Sequence, residues 1–208
     1  MANHMMIDLE TLDTRPTGVV FQVGVICFAD VLYGEPVEQI ILEEKLFHVD
    51  ILSQIMKGRT IDSETVKWWM TQNVGAWMRH PEECVLEHDV LNEISRMMGR
   101  NGVGDVWSNS PSFDAVMMRS IEDSLKKNGV QVSEFPSFRN DMDMRTLKRI
   151  CQRMRFCEFD SQRETTHNAL QDCRDQVNDV VMMLRQIRDI GNVWQEYVDG
   201  KLVRPTDK

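Results

Sequence analysis

The apolar positions of this chain begin in short runs of strand type and end in long stripes of helical type. Met5-Met6-Ile7-Asp8-Leu9-Glu10 opens a first strand almost at the start. Val19 to Phe28, rich in valine, predicts a second strand that is buried. Val37 to His48, with Ile40, Ile41, Leu42, Leu46 and Phe47, predicts a third. Turn chemistry at Gly34-Glu35-Pro36 joins the second and third as a hairpin-like pair. Helical spacing then takes over. Asp62 is placed to cap a helix through Val66, Trp69 and Met70, with Trp77 beyond. Pro81-Glu82-Glu83 opens another, carrying Val85, Val90, Leu91, Ile94, Met97 and Met98. Gly102-Val103-Gly104 breaks it, and Asp105-Val106-Trp107-Ser108 reads as a short strand. A helix from about Phe113 to Lys127 stops at Asn128-Gly129. Met144, Leu147, Cys151 and Met154 share one helical face. The clearest stripe is the last: Leu170, Cys173, Val177, Val181, Leu184 and Ile187, with Gly191 as the expected stop. Three strands followed by helices around at least one further strand predict an α/β sheet covered on both faces.

Composition narrows the class. The 208 residues predict one domain over 1–190 and a loosely attached tail over 191–208, with Trp194 as its docking point. Acidic residues number 33 and basic residues 24, so the formal charge is −9. That excludes a protein that coats nucleic acid with its whole surface, but not a nucleic-acid enzyme whose acidic site is filled by cations. No apolar run reaches the roughly 18 residues of a membrane span, and no secretory leader is visible. The five cysteines form no C-x-x-C pair and read as reduced thiols, which places the protein in the cytoplasm.

Chemistry is suggested by three weak patterns. Asp8 and Glu10 stand at i and i+2 of a strand, so both point to the same face, about 7 Å apart. Two carboxylates on an apolar strand repel each other and resist desolvation, and a hard divalent cation relieves both penalties. A solvated strand end would explain them as well. His167 precedes Asp172 by five residues, about 500° of helix, so the two share no helical face. The expected arrangement has His167 in the preceding loop, Asn168 as the cap and Asp172 on the first turns. Asp114 follows Asn109-Ser110-Pro111-Ser112-Phe113 at a strand-to-helix junction, where α/β folds commonly carry sites.

Together and in this order, D-x-E, N-x-x-x-F-D and H-x-x-x-x-D resemble the three motifs of the DEDDh 3′→5′ exonucleases. Thr65-Val66-Lys67-Trp68-Trp69-Met70-Thr71-Gln72 resembles the T-x-x-W-W-x-x-Q segment of one branch. Asp143-Met144-Arg145-Thr146-Leu147 is similar to its D-x-R-T-L segment, and Glu164 to Asp172 to its third motif. That branch holds small RNase T-like enzymes of phages and prophages, of exodeoxyribonuclease VIII-like or exonuclease A-like type. The resemblance spans about residues 5 to 185.

It implies a ribonuclease H-like fold, a five-stranded mixed sheet with helices on both faces. It implies two divalent cations, Mg²⁺ or Mn²⁺, held by Asp8, Glu10, Asp114 and Asp172, with His167 as general base. Thr11 and Leu12 would contact the terminal sugar, and Asn109 and Phe113 the last nucleotides. Trp68, Trp69 and Gln72 would be branch-specific substrate contacts. Spacing makes Trp69 the better core residue and Trp68 the better stacking candidate. Arg145, Lys148, Arg149 and Arg153 form a basic helical face, which reads either as a solvated surface or, with Arg149 and Arg153, as a guide for the incoming strand.

The resulting expectation is a 3′→5′ exodeoxyribonuclease that releases nucleoside monophosphates from single-stranded DNA. An exoribonuclease or short-oligonucleotide hydrolase would use the same residues. A nucleotide-binding module acting through a partner is the reading of a different class. Relatives are often dimers, which leaves a homodimer open.

Overall fold

The computed structural model describes residues 2–30, 35–72, 79, 81–155 and 167–198. Five strands form one mixed sheet: β1 (Asn3–Thr11), β2 (Val20–Phe28), β3 (Ile41–His48), β4 (Val103–Ser108) and β5 (Asp141–Asp143). Their order is β3-β2-β1-β4-β5. β1 pairs antiparallel with β2, which pairs antiparallel with β3. On its other edge β1 runs parallel to β4, and β4 parallel to β5. The helices are α1 (Val37–Ile40), α2 (Ile51–Met56), α3 (Ser63–Met70), α4 (Glu87–Asn101), α5 (Asp114–Lys127), α6 (Met144–Met154) and α7 (Ala169–Val198).

The period-two alternation of β1 sorts its side chains into two cores. Met5, Ile7 and Leu9 face one side with Val90, Leu91 and Ile94 of α4 and Met117, Met118 and Ile121 of α5. Met6 faces the other, with Trp107, Met144 and Cys151 of α6 and Cys173, Val177 and Val181 of α7. Asp8 and Glu10 continue the Met6 face, so α7 packs on the side that carries the two acids. β2 is buried along its whole length, as its unbroken apolar run requires.

Several expected boundaries move. Val37–Ile40 is a helical turn and not strand, and only Ile41–His48 pairs with β2. Pro36 at the N-cap position, with Val37 and Ile40 three apart, suits a turn of helix that buries Ile40. Pro81–Glu83 forms its own 3₁₀ turn, and α4 starts later, at Glu87. β4 begins at Val103, because Gly102 with φ 60° ends α4 and the chain enters the sheet at once. Helix α7 continues through Gly191 to Val198, so Gly191 is no terminator. It lacks the positive φ by which Gly102 and Gly129 close their helices. Trp77 and residues 199–208 of the expected tail lie outside the described residues, and so does the Trp194 side chain.

Candidate active site

Asp8 and Glu10 sit at the carboxyl end of β1, beside the end of its parallel neighbour β4. Asp172 comes to them from the first turns of α7. One carboxylate oxygen from each of Asp8, Glu10 and Asp172 lies within 4.8 Å of the other two. Asp114, the first residue of α5, is buried and joins them in one cleft of about 450 Å³. Asn109, Ser110, Ser112, Phe113, Arg145 and His167 complete its walls.

The close approach of α7 depends on Gly24, which stands opposite Asp8 in the β1–β2 register. A Cβ there would lie 2.2 Å from the carbonyl oxygen of Ala169. The helix end therefore rests on bare backbone. Cys173 Sγ donates to the Gly24 carbonyl at 3.3 Å, and the Ala169 N–H donates to Gln22 Oε1 at 3.4 Å. Asn168 caps α7, its Oδ1 accepting from the Gln171 N–H at 3.1 Å. His167 precedes the cap with φ 51°, a left-handed backbone that an L-residue adopts only where its surroundings hold it.

Electrostatically the cluster is under-compensated. Burial raises the Asp8 carboxyl well above its usual range, and the nearby Asp114 adds to this. The Gln176 amide opposes the rise, donating from Nε2 to Asp8 Oδ1 at 2.7 Å. Burial likewise pushes Glu10 up to about 8, with the Asp172 and Asp114 charges adding to it. Asp114 is pushed up to about 7 by burial, against the pull of a backbone hydrogen bond from Ser110. Three acids that resist ionisation, with the Asp172 carboxylate beside them, make an all-oxygen donor set suited to a hard divalent cation.

Beside the cleft lies a second pocket of about 540 Å³, which shares Leu9, Glu10 and Phe113 with it. Thr11, Thr14, Asp62, Thr65, Trp68 and Trp69 form the rest of its lining, together with Glu64. The Asp62 carboxylate caps α3 by accepting from the Thr65 N–H at 2.8 Å. Trp69 is only 2% exposed, donates from Nε1 to the Thr11 carbonyl at 2.8 Å and packs on Phe21. Trp68 is 44% exposed. Its ring meets that of His167 edge-on, with centroids 4.9 Å apart.

The structure thus brings Asp8, Glu10, Asp114, Asp172, His167, Asn109 and Phe113 together, and sets Thr11, Trp68 and Trp69 at the adjoining pocket. Leu12 does not line either one. It is 5% exposed and packs with Val19, Phe21 and Trp69, because its backbone bridges Val19 and Asp62. Gln72 is also absent from both linings, and its amide donates to Thr71 Oγ1 at 3.1 Å. Arg149 and Arg153 are exposed on α6, outside both linings. Arg145 is the member of that basic face that reaches the cleft. Its N–H donates to the Asn109 carbonyl at 3.2 Å, which ties the start of α6 to the loop before Asp114. Gln176 escaped the sequence reading. Its spacing of four from Asp172 on a helix was the available signal. A Gln176→Leu variant removes the amide that donates to Asp8, and weakens Mn²⁺ binding by about 10–100-fold in a calorimetric titration.

Residues 3–184 match the model of the 3′-5′ exoribonuclease Rv2179c-like domain. The chain belongs to this family. No curated protein matches this Rv2179c-like chain. Among solved structures it is similar to Escherichia coli exonuclease I in complex with a dT13 oligonucleotide, at 14% identity and TM-score 0.63. That match covers 94% of this chain and 44% of the other. It is also similar to the nuclease domain of 3′hExo, a DEDDh family member bound to rAMP, at 12% identity and TM-score 0.54. There it covers 88% of this chain and 92% of the other. A third similarity, to cell-death related nuclease 4, has 14% identity and TM-score 0.53 over 92% of this chain and 65% of that one. The Rv2179c-like chain spans less than half the length of the exonuclease I chains it matches. At these identities the likeness establishes the fold, the five-stranded mixed sheet of the ribonuclease H-like DEDDh exonucleases. No described helix is long and apolar enough to cross a membrane.

Proposed function

We propose that this Rv2179c-like chain hydrolyses single-stranded nucleic acid from its 3′ end, releasing nucleoside monophosphates with the help of two divalent cations. The observation that carries this reading is the carboxylate cluster of Asp8, Glu10 and Asp172 within 4.8 Å, with Asp114 in the same cleft. Asp8, Glu10 and Asp172 would hold one cation, and Asp8 with Asp114 the other. When bound, Mg²⁺ or Mn²⁺ supplies the positive charge that makes a water nucleophilic near neutral pH and stabilises the departing 3′-oxygen.

The chain's own groups do the rest. His167 faces the cleft from the loop before α7 and takes the proton of the attacking water as general base. Gln176 holds Asp8 in one orientation. Thr11 and the pocket beside Glu10 receive the terminal nucleoside, with Phe113 as an apolar wall and Asn109 at the mouth. Arg145 offers a guanidinium to a phosphate. Arg149 and Arg153 continue its line, each four residues and about 6 Å farther along α6. Replacing both by alanine makes the salt dependence of binding shallower, by roughly 1.4 in logarithmic slope if each neutralises one phosphate of a single strand. An unchanged slope would remove them from the binding face.

For the sugar, the family description favours RNA as substrate. Single-stranded DNA, which the resemblance to the phage branch implies, is the second reading, and the DNA bound to exonuclease I supports it. Membership of that branch rests on the T-x-x-W-W-x-x-Q and D-x-R-T-L segments. The test is degradation of matched 5′-labelled RNA and DNA strands with Mn²⁺ or with EDTA. Ladders that shorten from the 3′ end only with Mn²⁺ are expected, on RNA first. DNA-only ladders would keep the mechanism and reverse the choice of sugar, and ladders surviving EDTA would refute the metal assignment.

A further inference from the structure

The general base proposed above is one of three rings in mutual edge-to-face contact. Trp68 lies 4.9 Å from His167 between centroids with the planes at 89°, and Trp69 lies 5.7 Å from it at 81°. The two indoles meet each other at 4.8 Å and 73°. The inner member is fixed: Trp69 is buried, edge-on to Phe21, and hydrogen-bonded to the carbonyl of Thr11, next in sequence to Glu10. The outer end is not fixed by its own backbone. His167 precedes the cap of α7 and has a left-handed φ. Trp68 lines the side pocket and His167 lines the cleft, so the contact between them forms the partition between the two.

We propose that Trp68 is a positioning residue for His167. Through Trp69 and Thr11 it refers the imidazole back to the strand that carries Asp8 and Glu10. The base and the carboxylates then keep a fixed relation although they come from segments more than 150 residues apart. This role differs from base stacking, the role that spacing and exposure alone suggest for Trp68. It rests on His167 being the general base.

The two roles separate kinetically. A stacking residue contributes to substrate binding, and its loss raises KM. A residue that only places the base loses turnover when removed, with KM little changed. Misplacement of a reacting group is costly, since about 1 Å can reduce a rate 10²-fold.

The experiment is a double-mutant cycle on Trp68→Ala and His167→Ala, with Trp68→Phe as the conservative variant, using a labelled oligonucleotide and Mn²⁺. The expected result is a kcat about 10-fold lower for Trp68→Ala, KM within about twofold, and most of the loss recovered in Trp68→Phe. In the His167→Ala background, Trp68→Ala is expected to cost nothing further. In the metal-free protein, the ring-proton NMR signals of His167, displaced by the indole ring currents, are expected to move on Trp68→Ala and largely return in Trp68→Phe. This last reading is independent of turnover. An equal kcat loss in the His167→Ala background, or a change confined to KM, would overturn the positioning role while leaving His167 as base. A normal kcat in His167→Ala alone would instead overturn the assignment of the base. Should Trp68→Ala fail to fold, Trp68→Phe and Trp68→Leu carry the same comparison.

Discussion

Asp8→Asn is expected to abolish turnover, by at least about 10³-fold, while leaving the metal-free protein more stable than the wild type. Both effects have one cause. Asp8 stands among Asp114, Glu10 and Asp172, and its ionised form is penalised first by burial and then by those charges. The amide substitution keeps an oxygen for Gln176 Nε2, which now reaches Oδ1 at 2.7 Å, and removes the charge. Turnover is lost because the negative charge that draws in the cations is gone. Each 1 kcal/mol gained raises the melting temperature by about 2–4 °C in a chain of this size.

The pH dependence follows from the same groups. Glu10 is raised from the usual 4.5 to about 8, and Asp114 from 3.8 to about 7, mainly by burial. The folded protein therefore holds protons that the unfolded chain has released. Stability from these sites is fully present below the unfolded pKa values. It is lost as pH rises through the folded ones, over about pH 4 to 8, and levels off above that. The metal-free protein is expected to melt at a lower temperature at pH 8 than at pH 5, and added Mg²⁺ to restore most of the loss at pH 8. A melting temperature that rises over this range in the absence of metal would refute the electrostatic account of the cluster. A correctly folded Asp8→Asn protein with normal turnover would refute its catalytic role.

Gly24→Ala is expected to be the most damaging alanine substitution among the described glycines. Its Cβ would meet the Ala169 carbonyl oxygen at 2.2 Å and the Ala169 carbonyl carbon at 2.3 Å, both backbone atoms that cannot rotate away. Either β2 bends or the start of α7 lifts. A forced fit of this kind costs about 1–3 kcal/mol, an expected fall of several degrees in melting temperature. The larger effect is on turnover. Asp172 and His167 both ride on the displaced segment, and a loss of about 10²-fold is expected for a shift of about 1 Å. Gly191→Ala, on the same helix with nothing within 4 Å of the added Cβ, serves as the control and should leave both quantities unchanged or slightly improved. Wild-type kcat in Gly24→Ala would show that α7 does not need this contact to place Asp172.

Gly24 also shows where the sequence stops being informative. In the sequence it is a small residue inside a valine-rich strand, and only the packing of a helix 145 positions later gives it meaning. What could be read beforehand was local. The strand period put Asp8 and Glu10 on one face, Asp62 and Asn168 cap their helices as their side chains allow, and Asn128-Gly129 ends α5. What could not be read depends on distant neighbours. Leu12 is core because Val19, Phe21 and Trp69 enclose it. Gln176 serves Asp8 from another element, and Arg145 reaches the cleft where Arg149 and Arg153 do not. Gly191 stays helical because a glycine stops a helix only when its backbone turns left-handed, which its neighbours in sequence do not decide.

The central claim is that the acids of β1, α5 and α7 form a cation site, and calorimetric titration of Mn²⁺ into the nucleic-acid-free protein at pH 7 tests it most directly. Saturable binding is predicted, with protons released as Glu10 and Asp114 ionise, so that the measured heat varies with the ionisation enthalpy of the buffer. Asp8→Asn and Asp172→Asn should each weaken that binding by at least about 10-fold. Binding of equal strength and equal proton release in wild type and both variants would contradict the site.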